Sequence, residues 1–157
     1  MIAVPLTTDE ASRCYECAQE IIDVKEINHG VRGPFVLESL QAMFFGMMGE
    51  FALAKYLNIE HKLLTDYNPF RNDVSIYEVR TTTHANGKLI TYKNDKSAPY
   101  VLATLDMQKG YTIYLRGWAM LDECNIDENW NTSAKIPSYW TPQHQLHNMT
   151  DLPMAVI

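Results

Sequence analysis

The chain has 157 residues, enough for one domain with a real core, and 46% of them are hydrophobic while 20% are charged. The net charge of -6 argues against a protein that coats nucleic acid through a broadly basic surface. It leaves room for an enzyme that holds nucleic acid through a local patch and metal ions. No signal peptide, membrane span or paired cysteine framework is indicated, so we expect a cytoplasmic protein without a membrane partner.

Two helices are predicted in the first part of the chain. Thr7 and the acidic residues after it indicate a helix start, and this helix is expected over residues 8–27. Glycines and a proline in residues 30–34 interrupt it. A second helix is expected over residues 35–57.

The chain then changes to a strand pattern. Strands are predicted at residues 75–83, 88–93, 100–106, 111–119 and 138–141. Asn86-Gly87 favours a type I′ turn, which would join the first two strands in a tight hairpin. Two helices followed by a run of strands indicate an α+β fold, with helices on one side of a mainly antiparallel sheet.

Glu50 is an unusual residue for its surroundings. Every other residue of "AMFFGMMGEFALA", residues 42–54, is apolar or glycine. A helix that is apolar all round is buried, and a buried carboxylate is costly unless it is compensated. Glu50 therefore needs an arginine, a metal ion or a proton. A structural ion pair, or a rim position that reaches water, is the simpler alternative.

The stretch "RNDVSIYEVRTTTHANGK" raises the same question. Alternate residues of a strand share a face, which would here be formed by Val74, Ile76, Glu78, Arg80 and Thr82. Glu78 and Arg80 can form a simple ion pair on an exposed edge. Alternatively, Glu50, Asp73 and Glu78 converge on a divalent cation, since hard cations choose oxygen ligands.

These residues resemble the motif of the PD-(D/E)XK nuclease superfamily. Its members carry a glutamate on a core helix, often as "GE", then an aspartate, then a (D/E)-x-K strand. The matching residues are Glu50 in "GMMGEFALAKYLN", Asp73 in "RNDV" and Glu78-Val79-Arg80 in "YEVRTTT". The later "YTIYLRGWAMLDE" and "WTPQHQLHNMTDL" resemble a phage-encoded branch in which Gly-Trp follows a late strand, so the resemblance extends over residues 40–152.

The resemblance implies a fold and a function. The fold would be restriction-endonuclease-like, a three-layer α/β/α arrangement, in a single domain of residues 1–157. An N-terminal helix within 1–30 would precede a nuclease-like core at 35–120 and a C-terminal extension at 121–157. The function would be hydrolysis of DNA phosphodiester bonds with Mg²⁺ or Mn²⁺, in the cytoplasm of a phage-infected bacterial host.

Arg80 stands where the family has a lysine, which is thought to orient the attacking water or to stabilise the developing charge. An arginine can stabilise that charge through its forked guanidinium, but it cannot act as a base. Lys88 or Lys93, across the predicted hairpin, could supply the missing amine. A member of this fold that binds nucleic acid without cleaving it, or an inhibitor that docks on a protein partner, remains an alternative.

The position of the motif aspartate is a second departure. Asp73 and Glu78 have opposite strand parity, so Asp73 must lie in the loop before the strand or be turned by a bulge. If neither holds, Asp66 in "LLTDYNPF" becomes the better aspartate.

The family resemblance implies a role for each motif residue. Asp73, Glu78 and the backbone carbonyl of Val79 would hold the metal, and Glu50 would bind it directly or through water. Arg80 would stabilise the charge on the scissile phosphate. Three residues are weaker candidates for contacts with DNA: Thr82, Lys88 and Lys93. The oligomeric state is left open, and a homodimer is compatible with the sequence.

The remaining motifs receive simpler interpretations. Cys14 and Cys17 form a C-x-x-C that is interpreted as two ordinary helix cysteines. His144 and His147 could form a zinc site with Cys124, but two surface histidines fit better. The tail aromatics could stack bases, yet they are interpreted as core residues: Trp118, Trp130, Tyr139 and Trp140.

Overall fold

The computed structural model describes residues 1–29, 35–61 and 72–154. Its helices and strands are, in chain order, β1 Ile2–Pro5, α1 Thr8–His29, α2 Phe35–Tyr56, β2 Glu78–Thr82, β3 Leu89–Thr91, β4 Pro99–Asp106, β5 Thr112–Met120, α3 Leu121–Cys124, β6 Trp130–Asn131 and β7 Ser138–Thr141. Short 3-10 turns follow β4 and interrupt the C-terminal part. This is a mixed α+β fold, as the sequence predicted.

The strands form two sheets. The larger sheet has the order β1-β5-β4-β2, in which β5 pairs antiparallel with both β1 and β4, while β2 runs parallel to β4. The smaller sheet has the antiparallel order β3-β7-β6. Among the residues that the structure describes, β2 is therefore an edge strand, and its start lies at the same end of the sheet as the start of β4.

α2 covers one face of the larger sheet, and α1 packs against α2. The core on this face includes Met48, Ala52, Leu53, Val79, Val101, Ile113 and Leu115. Leu89, Ala98, Tyr100, Leu102, Ala119 and Cys124 form a second apolar cluster. These side chains come from β3, β4, β5, α3 and the residue before β4, so the small sheet and the short α3 cover the other face. The third layer thus differs from the purely helical one that the family resemblance implies.

The start of α1 is fixed by the residues that predicted it. The Thr7 hydroxyl accepts a hydrogen bond from the Glu10 backbone N–H, with an N···O distance of 3.1 Å. Lys55, in the last turn of α2, lies 2.9 Å from the Glu10 carboxylate and donates to the Pro5 carbonyl at 3.0 Å. These contacts join the end of α2 to β1 and to the start of α1.

The predicted hairpin at Asn86-Gly87 is wrong. A turn does form at these residues, in which the Gly87 N–H donates a hydrogen bond to the His84 carbonyl at 2.8 Å. However, β2 pairs with β4 and β3 pairs with β7, so the strands on either side of the turn belong to different sheets.

The strand β1 was not predicted, because four residues carry little periodic signal. The predicted strands at residues 100–106 and 111–119 are confirmed as β4 and β5, which pair antiparallel.

None of the helices in the described ranges is long and apolar enough to cross a membrane.

Candidate functional site

A tight turn ahead of β2 positions Asp73. Val74 and Tyr77 exchange backbone hydrogen bonds of 3.1 and 2.8 Å, and Ser75 takes a positive φ of 55° between them. The turn brings the Asp73 carboxylate back to the strand, where it accepts a hydrogen bond of 2.9 Å from the Val79 N–H. Asp73 therefore lies in the loop before the strand, which removes the parity conflict.

The strand itself is shorter than predicted. It starts at Glu78 rather than Ser75, so Val74 and Ile76 belong to the turn and not to a strand face. Ile76 is exposed. The alternative aspartate, Asp66, lies outside the described residues.

Glu78 is buried at the start of β2, with only 7% of its side chain exposed. The Lys96 ammonium lies 2.9 Å from its carboxylate. Burial raises the pKa of Glu78, the Asp73 charge raises it further, and Lys96 and Arg80 partly offset this. The partner of Glu78 is thus a lysine that the sequence did not indicate.

Glu50 faces this group from α2. Its carboxylate lies 3.4 Å from Nε2 of His61, just beyond the end of the helix. Burial raises the pKa of Glu50, the His61 hydrogen bond lowers it, and the charges of Asp73 and Glu78 raise it again. The carboxylates of Asp73 and Glu78 therefore lie close enough to Glu50 to disfavour its charged form.

Arg80 contacts Asp95 and Tyr100 rather than Glu78. Its guanidinium lies 3.2 Å from the Asp95 carboxylate and 5.1 Å from the centre of the Tyr100 ring. The same Asp95 oxygen accepts a hydrogen bond of 2.9 Å from the Tyr92 N–H. The simple Glu78–Arg80 pair considered from the sequence is thus replaced by two separate pairs.

This group of side chains, which we call the carboxylate cluster, carries an excess of negative charge. It contains Glu50, Asp73, Glu78, Asp95, Arg80, Lys96 and His61. Counted over the residues that the structure describes, four carboxylates face two permanent cations and one histidine. Because carboxylate oxygens are the ligands that hard divalent cations prefer, the donor chemistry fits Mg²⁺ or Mn²⁺. Across ranges 1–29, 35–61 and 72–154, however, no three His, Cys, Asp or Glu side chains are arranged around a single ion position.

The weaker DNA-contact candidates lie elsewhere. The Thr82 hydroxyl accepts a hydrogen bond from the His84 N–H at 3.3 Å, so it serves the turn after β2. Thr82 is four residues from Glu78, which is about 13 Å along a strand. Lys88 is exposed just before β3. Lys93 lies over the Trp130 ring, with Nζ 5.9 Å from the ring centre.

Three residues of the carboxylate cluster were not predicted from the sequence: His61, Asp95 and Lys96. Asp95 and Lys96 come shortly before β4, which runs parallel to β2. Residues that precede two parallel neighbours meet at the same end of the sheet. Recognising β2 and β4 as a parallel pair, rather than assuming a hairpin, would have pointed to both.

The cysteine interpretation agrees with the structure. Cys14 and Cys17 are buried and form no disulfide, and burial raises the pKa of the Cys14 thiol to about 12. Such thiols are poor nucleophiles and poor metal ligands at neutral pH.

The zinc alternative finds no support in the described part of the chain. Cys124 is fully buried, whereas His144 and His147 are exposed. Nε2 of His147 lies 2.8 Å from the Glu123 carboxylate.

The interpretation of the tail aromatics as core residues holds for Trp118, which is 8% exposed, but it is wrong for Trp130, which is 37% exposed.

Comparisons with protein families, with curated proteins and with solved structures give no match to this chain. The case for a function therefore rests on the residues and on their geometry.

Proposed function

We propose that the protein is a metal-dependent nuclease that hydrolyses DNA phosphodiester bonds. The observation that carries the proposal is the approach of Glu50, Asp73 and Glu78 at the start of β2, where the pKa values of both glutamates are raised. A buried group of carboxylates with excess negative charge is costly by itself. A divalent cation would relieve this cost, and it would explain why three different elements bring acidic side chains to one place.

Asp73 and Glu78 are the first candidates to hold Mg²⁺ or Mn²⁺. A bound cation would polarise a phosphoryl oxygen and acidify its bound water. Glu50 is 16% exposed and is oriented by His61, so it can hold a water at the edge of the same site. The Val79 N–H fixes one oxygen of Asp73, which leaves the other oxygen for the cation.

Lys96 is proposed to take the place of the motif lysine. Its ammonium lies beside Glu78, and 36% of its side chain is exposed, so it can reach a phosphate in solvent. Arg80 is held between Asp95 and Tyr100 instead, which suits a group that fixes the turn before β4 and adds positive charge nearby. This division of roles avoids the need for an arginine to act as a base.

A second candidate is a protein of the same architecture that binds nucleic acid without cleaving it. The ion pairs Glu78–Lys96 and Arg80–Asp95 favour it, because Glu78 and Arg80 each already have a partner of opposite charge within the protein. This candidate predicts salt-sensitive binding of nucleic acid without cleavage.

A cleavage assay separates the two candidates. Single-stranded, duplex and branched DNA are incubated with the protein in Mn²⁺ and then in Mg²⁺. We expect cleavage by the wild type, its loss in Glu78→Ala, and a decrease on the order of 10²–10³-fold in Lys96→Met, as for other groups that stabilise transition-state charge.

The control variant is Glu123→Ala, which removes an acidic residue that is paired with His147 outside the carboxylate cluster. It should cleave like the wild type. If folded wild-type protein cleaves none of the substrates, the nuclease proposal fails and the binding candidate takes its place.

A further inference from the structure

An exposed aromatic patch lies on the small sheet. Trp130 of β6 pairs with Tyr139 of β7, and their ring centres are 4.8 Å apart at an angle of 57°. Trp130 is 37% exposed, and the Lys93 ammonium lies 5.9 Å from its ring centre. We call Lys93, Trp130 and Tyr139 the stacking patch.

The patch combines two features that single-stranded nucleic acid requires. A flat, exposed indole offers a face on which a base can stack, and a neighbouring lysine offers a charge for the backbone. The protein as a whole has a net charge of -6, so any affinity for nucleic acid must come from such local features.

A hydrogen-bonded turn connects the stacking patch to the carboxylate cluster. In the turn Tyr92–Asp95 the Asp95 N–H donates to the Tyr92 carbonyl at 3.1 Å, and Asn125 donates to the same carbonyl at 3.2 Å. Lys93 in this turn reaches Trp130, whereas Asp95 binds Arg80 and the next residue, Lys96, lies beside Glu78.

The lysines that contact the two sites, Lys93 at the stacking patch and Lys96 at the carboxylate cluster, come from nearby positions of one turn. Lys93 and Lys96 are three positions apart, so their Cα atoms are at most about 11 Å apart. A single strand covers such a distance within a few nucleotides. A base could lie on Trp130 while a phosphate of the same strand lies at the carboxylate cluster.

We propose that the stacking patch is a subsite for an unpaired base of single-stranded nucleic acid, located a few nucleotides from the scissile phosphate. Trp130 and Tyr139 hold the base, and Lys93 contacts the adjoining phosphate. The position of the scissile phosphate rests on the proposed nuclease function. Base faces are accessible in a single strand but not inside a duplex, so the patch selects single-stranded substrate.

The test is binding of a fluorescent single-stranded oligonucleotide and of a duplex of equal length, measured by anisotropy in EDTA at several salt concentrations. We expect the single strand to bind more tightly than the duplex. Trp130→Leu should weaken binding of the single strand about tenfold without changing the salt dependence. Lys93→Ala should reduce the slope of log affinity against log salt by about 0.7.

Two matched controls lie away from the patch. Tyr15→Leu removes an exposed aromatic from α1, and Lys109→Ala removes a lysine beyond the far end of β4. Both should bind like the wild type. If Trp130→Leu does not fold, the salt slope of Lys93→Ala decides the question.

The outcomes distinguish the two proposals. Equal binding of single strand and duplex, unchanged binding in both patch variants, or no binding of nucleic acid overturns the stacking patch. Cleavage in Mn²⁺ that Trp130→Leu leaves unchanged also contradicts the patch but supports the nuclease. Binding that depends on Trp130, without cleavage in Mn²⁺, supports the patch and contradicts the nuclease.

Discussion

Glu50 shows how a single residue can link stability to function. Its carboxylate is 16% exposed, has His61 as its nearest partner and lies in the field of two more carboxylates. Because its pKa is raised in the folded protein, folding favours the protonated form of Glu50. A cation at the carboxylate cluster would reverse that preference.

We predict that the metal-free protein loses stability as the pH rises. A group with a raised folded-state pKa stabilises the fold below its unfolded value, here 4.5, and this contribution is lost as the pH rises through the folded-state pKa. Glu50→Gln keeps a polar group of similar shape but cannot titrate. In urea unfolding from pH 4.5 upward, in EDTA, the variant should show a weaker decrease than the wild type. Identical pH profiles of the variant and the wild type would show that folding does not raise the pKa of Glu50.

The residues of the carboxylate cluster differ in how visible they are in the sequence. Glu50 and Glu78 could be found because a charge interrupts an apolar helix or a strand. Asp95 and Lys96 could not, since charges in the polar segment "YKNDKS" are ordinary. Only the parallel pairing of β2 with β4, a long-range contact, brings them to the carboxylates.

At the level of elements, α2 depends on one glycine to approach β2. A Cβ on Gly49 would lie 2.0 Å from the Thr81 hydroxyl oxygen and 3.3 Å from a Val79 methyl carbon. A Cβ on Gly46, one turn earlier, would meet no atom within 4 Å. The helix face that carries Gly49 is therefore packed directly on the strand that begins with Glu78.

We predict opposite effects for alanine at these two positions. Gly49→Ala should destabilise the protein by about 1–3 kcal/mol, because the added methyl overpacks the contact with Thr81. Gly46→Ala should stabilise it by up to about 1 kcal/mol, since alanine is the better helix former. Chemical unfolding of both variants beside the wild type measures the difference. Equal effects of the two changes would rule out the close contact between α2 and β2.

Element prediction succeeded where the signal is local. Both helices and the strands around Gly110 follow from periodicity and from breaking residues, and the strand at Ser138–Thr141 was placed correctly. The hairpin at Asn86-Gly87 failed because a turn motif fixes only a local reversal. It does not fix which strands pair, and here the chain leaves one sheet and enters another.

At the level of the whole molecule, the candidate site lies where the layers meet. The helical layer contributes Glu50, the edge of the larger sheet contributes Glu78, and the turn from the small sheet into β4 contributes Asp95 and Lys96. A cation bound there would join all of these elements. Because it would bind the folded chain and not the unfolded chain, it would stabilise the whole fold.

We predict that Mn²⁺ raises the melting temperature. At a free Mn²⁺ concentration 100 times the dissociation constant, linkage gives about 2.7 kcal/mol, which corresponds to about 5–10 °C for a chain of this size. EDTA should reverse the shift, and Glu78→Ala should abolish it. Glu123→Ala should shift like the wild type. An equal shift in Glu78→Ala would place the metal outside the carboxylate cluster.

The most direct measurement is anomalous scattering from crystals soaked in Mn²⁺. We predict an anomalous peak within about 2.0–2.5 Å of carboxylate oxygens of Asp73 and Glu78, with Glu50 bound directly or through water. Soaked crystals of Glu78→Ala should lack the peak. A wild-type map at saturating Mn²⁺ with no peak between Asp73 and Glu78 would contradict the metal site, and with it the proposed nuclease.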